Sequence, residues 1–164
     1  MAWIKLIFFL RRLRFVPKRF VYEMLFWYGA DIPWTVKFGD NVKIHHRGIG
    51  VVIHPRTTIG NRVQIWHGVT LGRADVFRSP HDSDFGGFVV EDDALLCAGA
   101  KVLGGSGTTR VGRGTIIAAN AVLLESTGDW EVWAGIPARK VADRKDVTRP
   151  GRTPRGTFGA RTSL

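Results

Sequence analysis

Large apolar residues recur at a step of six through the middle of this 164-residue chain. They fall at Ile32, Phe38 and Ile44, at Ile53, Ile59, Ile65 and Leu71, at Val90, Leu96 and Val102, and at Val111, Ile117 and Leu123. Two residues before each stands a second inward candidate, which is Ala, Val or Thr everywhere except at Phe88. An amphipathic helix cannot produce this pattern, because six residues turn it through about 600° and the apolar positions would spiral around the axis. Short strands can. Residues two apart in a strand face the same side, so each hexapeptide points one small and one large residue inward and then turns a corner. Small residues just after the large one, at Gly39, Gly60, Gly72, Cys97, Gly112 and Ala118, suit corners where side chains crowd. Cys97 is therefore expected to pack at a corner and not to act as a nucleophile. Stacked turns of this kind form a parallel β-helix of about four coils, in which each rung pairs with its neighbours and the end rungs need covers.

The step is broken three times, between Ile44 and Ile53, between Leu71 and Val90, and between Val102 and Val111. Insertions in a solenoid are extruded at corners, where binding groups tend to lie. The first break holds His45 and His46, and the second holds His81, Asp82 and Asp84. A lone histidine in a solenoid is most simply a satisfied corner residue, which is the expectation for His54 and His67.

Length and composition agree with one folded domain, since 45% hydrophobic and 23% charged residues exclude wholesale disorder. The net charge of +10 sits at the ends. Residues 1–22 carry six basic residues and no acidic one, and residues 139–164 carry eight basic and two acidic, so the body between them is slightly acidic. A nucleic-acid reader carries its positive charge on the folded docking face, so nucleic acid is not expected as a partner. Residues 1–29 read as a helical segment, too short and too charged to span a bilayer, with aromatic and basic residues interleaved as in helices that lie on a membrane surface. It is expected to cap the solenoid, to touch the membrane peripherally through residues 1–22, or both. The solenoid is expected over 30–141 and a mobile basic tail over 142–164. A single cysteine suits a reducing, cytoplasmic setting, with peripheral contact at the inner face of the membrane as the variant of that expectation.

The chain resembles the hexapeptide-repeat acyltransferases, and among them the serine acetyltransferases. The resemblance spans about Ala30 to Val141. It rests on Asp31-Ile32, Ile44-His45-His46, Val69-Thr70-Leu71-Gly72, the run from Ala98 to Gly104, Val111-Gly112-Arg113-Gly114 and Ala134-Gly135-Ile136-Pro137-Ala138-Arg139. It implies a left-handed parallel β-helix that works as a homotrimer and moves the acetyl group of acetyl-CoA to a hydroxyl, with no metal. It further implies His46 as general base, supported by Asp31, with pantetheine lined by Gly72, Ala98, Gly99 and Ala119 and the CoA phosphates met by Arg139 and Lys140.

The match has gaps. That family carries an acidic residue just before the catalytic histidine, where this chain has His45, and a loop histidine that would fall at Gly87. The candidate in this chain is His81, so His45 and His81 are the expected acceptor-binding residues. The Gly72–His81 loop is closer to polysaccharide acetyltransferases of the colanic acid type, which points to a sugar or glycoconjugate hydroxyl as acceptor and to L-serine as the alternative. Two rivals are a zinc enzyme of the γ-carbonic anhydrase type, drawing on His45, His46, His54, His67 and His81, and a non-catalytic solenoid.

Overall fold

A computed structural model of the protein describes Leu10, residues 15–79 and residues 81–144. After helix α1 (Lys18–Trp27), the chain winds into three parallel sheets, one for each face of a triangular prism. Face A stacks β1 (Lys37–Phe38), β4 (Thr57–Ile59), β7 (Phe85–Val90) and β10 (Gly107–Val111). Face B stacks β2 (Lys43–Ile44), β5 (Gln64–Ile65), β8 (Leu95–Leu96), β11 (Ile116–Ile117) and β13 (Glu131–Gly135). Face C stacks β3 (Val52–Ile53), β6 (Thr70–Arg73), β9 (Lys101–Gly104) and β12 (Val122–Leu123). This is the left-handed parallel β-helix.

The register explains the six-residue step. On face B, Ile44, Ile65, Leu96, Ile117 and Trp133 are successive Cα partners, and on face C the same holds for Ile53, Leu71, Val102 and Leu123. Like therefore stacks on like down the interior. Every residue of the large-apolar series is buried except Phe38 and Ile44, which are half-buried in the first coil where no coil lies above them. The corners are as crowded as their small residues require: a Cβ on Gly60 would sit 2.7 Å from the backbone nitrogen of Asp92. One corner is tied by a ladder of side-chain acceptors, with Asp40 N donating to Asn61 Oδ1 and Asn61 N donating to Asp92 Oδ1, each at 2.8 Å.

Helix α1 contributes Val21 and Leu25 to the same core and ends at Gly29, whose φ of +79° supplies the left-handed C-terminal turn. At the far end β14 (Ala138–Asp143) turns back antiparallel on β13 and closes face B. This strand runs two residues past Val141, where the solenoid was expected to end. Arg144 follows it and is anchored by donating to the carbonyls of Asp93 and Gly114. The rest of the expected tail, 145–164, lies outside the described residues, as does most of residues 1–14.

Ile65 sits fully buried at the middle of face B between Ile44 and Leu96. Ile65→Ala should destabilise the protein by about 3 kcal/mol in denaturant unfolding. A loss below about 0.5 kcal/mol would mean that the side chain faces outward.

Candidate active site at the first corner

The corner between faces B and C is built by backbone stacking: Gly50 N donates to Gly29 O, Gly68 N to Ile49 O, Gly99 N to His67 O and Asn120 N to Ala98 O. Counting two residues past the inward rungs Ile44, Ile65, Leu96 and Ile117 gives His46, His67, Ala98 and Ala119. The last three head successive turns of this one column. The three extra residues of the first break are spent here, in a 3-10 turn over His45–Gly48. His46 (φ 51°, ψ 38°) and Arg47 (φ 59°, ψ 13°) are both in the left-handed region, a conformation that disfavours L-residues by roughly 1–2 kcal/mol each. Adjacent strain of this kind is a pointer to function.

The turn sends the two histidines different ways. His46 is exposed, and its ring stands edge-on to that of His67, with centroids 4.9 Å apart and planes at 89°. His45 instead lies over the outside of face B, stacked on Trp66 at 4.2 Å, with Nε2 3.1 Å from Gln64 Oε1. Asp31 opens face C by bridging to Val52, and its Oδ1 accepts a hydrogen bond of 3.0 Å from Tyr22 Oη on α1. That bond, followed by burial, raises the Tyr22 pKa. Among the described residues the side-chain hydrogen bond of Asp31 is therefore with Tyr22, not with His46.

The corner brings together His46, His67, Ala98, Gly99 and Ala119. Gly72 lies on β6, on the adjoining face. Arg139 and Lys140 lie on β14 and are already engaged: Arg139 is 3.3 Å from Glu125, and Lys140 is held by Asp143 at 2.7 Å and Glu131 at 3.0 Å. His81 is exposed in the extruded loop between β6 and β7 and makes no hydrogen bond to His46 or Asp31 among the described residues. That loop is pinned at its base by Asp75, which is 5% exposed and accepts from Arg73 Nε at 2.8 Å and Ser83 Oγ at 2.6 Å. The Arg73 guanidinium and then the Ser83 hydroxyl hold the Asp75 carboxyl down at about 2. Between the loop and the coils runs a groove of about 470 Å³ floored by Leu103 and Leu124 and flanked by Phe77, Arg78 and Glu125.

His54 behaves as an ordinary packed residue: Nδ1 accepts from Arg56 N, the ring stands edge-on to Phe85, and burial lowers its pKa. Burial likewise raises the Cys97 thiol, which suits packing and not nucleophilic attack. His67 is different, because it touches His46 and was not expected in the site. The signal that finds it is its place two residues after Ile65, in the column that also holds Ala98 and Ala119. Tyr22 had no such signal, since nothing in its spacing relates α1 to Asp31. Among the described residues, no three His, Cys, Asp or Glu side chains converge as a metal site.

Hexapeptide coils stacked into a left-handed β-helix are the architecture of the hexapeptide-repeat class, to which acyltransferases of this fold belong. Within it the chain is serine acetyltransferase-like. No family model matches it. It is 38% identical over 128 residues to the serine acetyltransferase of Staphylococcus aureus strain N315, covering 78% of this chain and 55% of that one. A crystal structure of Neisseria gonorrhoeae serine acetyltransferase in complex with serine superposes with a TM-score of 0.64 at 28% identity, over 76% of this chain and 47% of that one. A serine acetyltransferase of Brucella abortus strain S19 in complex with coenzyme A gives 0.64 at 29%, over 77% and 48%. The chain thus spans about half the length of the relatives it matches.

The depressed carboxyl of Asp75 has a consequence for the loop. Its folded pKa of about 2 lies below the unfolded value of ~3.9, so the loop anchor is at full strength above ~3.9 and is lost as pH falls toward about 2. A carbon-detected NMR titration should show the Asp75 midpoint near about 2 and, in Arg73→Ala, a rise toward the ordinary carboxylate range. An unmoved midpoint would remove Arg73 as the cause.

Proposed function

We propose that the chain is an O-acetyltransferase that uses acetyl-CoA and acylates the hydroxyl of serine, with His46 as general base. The observation that carries this is the exposed His46 ring, raised on a strained turn against His67 at the head of the column that runs to Ala98 and Ala119. An alcohol is a poor nucleophile toward a thioester at neutral pH. Neutral His46 takes the hydroxyl proton as the oxygen attacks the acetyl carbonyl, and the new C–O bond forms. The oxyanion then collapses, the C–S bond breaks, and the imidazolium returns the proton to the departing thiolate. Neither a metal nor an acyl-enzyme is needed for atoms and charge to balance. His67 holds the His46 ring by its edge contact. Asp31, with one oxygen fixed by Tyr22, favours the imidazolium electrostatically as it forms.

Small residues support the placement of the co-substrate. Ala98, Gly99 and Ala119 are small enough to let a pantetheine arm approach the corner backbone, and Gly99 takes a left-handed φ of 71° there. Arg139, the more exposed of the basic pair, suits the CoA phosphates better than Lys140, which two carboxylates already neutralise. The working unit in this proposal is a homotrimer with sites at the seams, and the half-buried outward residues Leu95, Ile116 and Val132 of face B suit such contact. Serine as acceptor follows the names of the relatives and the serine-bound neighbour.

One observation favours a sugar or glycoconjugate hydroxyl as a second reading. The residue before His46 is His45, stacked on Trp66, so no carboxylate stands there to meet the ammonium of an amino acid. Incubating the protein with acetyl-CoA, L-serine and a panel of sugar acceptors while following free thiol separates the two. His46→Ala should lower turnover by about 10²–10⁴-fold with the fold retained. His67→Ala and Asp31→Ala should lower it less, through kcat more than through KM. Full activity in His46→Ala would remove it as the base.

A further inference from the structure

Helix α1 carries more exposed aromatic surface than a simple cap needs. Its inner side is spent on the core through Val21 and Leu25 and on Asp31 through Tyr22. Its outer side and its lead-in expose Phe15 (82%), Phe20 (56%), Phe26 (61%) and Trp27 (86%). Trp34, 48% exposed, adjoins the helix through an edge contact with Tyr22 at 5.9 Å. Five exposed aromatic rings at one end of a chain this size form the kind of apolar patch that marks an interaction surface.

We propose that this patch is a docking surface for an anionic phospholipid bilayer. Two independent features select that occupant. The first is charge: residues 1–22 hold six basic residues and no acidic one, and Glu23 is the single acidic residue before Asp31. A surface bearing phosphate headgroups complements the charge of that segment. The second is residue type. Trp and Phe on the outer side of a short helix, with Arg19 exposed among them, match what settles at the headgroup–acyl boundary, where rings enter and cationic ends stay in water. No helix among the described residues is long and apolar enough to cross a membrane.

The consequence is positional. Tyr22 ties α1 to Asp31 on the first coil, and His46 stands on the turn that leads into the second coil. Docking through α1 therefore holds the candidate active site at the lipid side of the β-helix, within about two coil spacings of roughly 5 Å each. An acceptor carried at a membrane surface would be presented to it.

The test uses the full-length protein and vesicles alone, without acetyl-CoA, so its outcome is independent of the acetyl-transfer proposal. Flotation with vesicles of phosphatidylcholine containing 30% phosphatidylglycerol should recover at least tenfold more protein than vesicles of phosphatidylcholine alone. Recovery should fall at least fivefold in 0.5 M salt. The double variant Phe20→Ser/Trp27→Ser should lose at least tenfold in recovery while keeping its circular dichroism spectrum and its thermal unfolding midpoint. Two results would overturn the inference. One is failure to float with either vesicle, or equal flotation with both. The other is unchanged flotation of the double variant, above all if its sedimentation shows a smaller oligomer than the parent, since the patch would then be a contact between copies of this chain.

Discussion

Stacking in register governs everything else in this molecule. Each coil satisfies its backbone only by pairing with the coil above and the coil below, and parallel pairing in register makes every inward residue sit over the residue of the same rank in the next coil. The interior is therefore a set of columns, such as Ile53–Leu71–Val102–Leu123, and a residue of the wrong size is felt by both neighbours. The same rule acts on the corners, where Gly60 has no space for even one extra carbon. A chain under that constraint has little freedom inside. Its variation is pushed outward, into insertions that leave the frame intact.

The candidate site uses that freedom in the smallest possible way. Three extra residues after Ile44 let His46 and Arg47 adopt left-handed conformations that the regular corner would give to glycine or asparagine, as at Gly68, Gly99 and Asn120. The hydrogen bonds of Gly50 to Gly29 and of Gly68 to Ile49 hold the turn from both sides, so the strain is borne by coil pairing and the ring stays where it is placed. His67 then needs no insertion at all. It stands at the ordinary corner position of the next coil, and the stacking rule alone brings it against His46. Asp31 is fixed from outside the solenoid by Tyr22 of α1, the same helix that places Val21 and Leu25 in the core.

The solenoid was readable from its step of six because that step is a packing rule, and the exceptions are instructive. Phe38 and Ile44 are only half-buried because the rule needs a coil on both sides and they have one. The closing hairpin was invisible to it: Trp133 is the next rung after Ile117, but it follows at sixteen residues, and β14 runs antiparallel. In the site, the broken spacing marked His45 and His46 together, while the role expected of His46, like those of Ala98 and Ala119, came from resemblance to the family. His67 was passed over because histidine at a corner is usually packing, which is what His54 turned out to be. His45, expected to bind the acceptor, takes a direction that spacing does not encode. Neighbouring residues in a tight turn cannot share a side, and His45 follows the column of Trp66, away from His46. Tyr22 depends on how α1 docks, which no local pattern encodes.

The central claim is that the first corner is where a thioester meets His46. A crystal structure of the protein soaked with coenzyme A and serine tests it most directly. The CoA thiol should lie along the Ala98–Ala119 column, with the serine hydroxyl between its sulfur and the His46 ring and within about 3–3.5 Å of each. A thiol bound across face A, or one facing His54 with His46 left in open solvent, would contradict it.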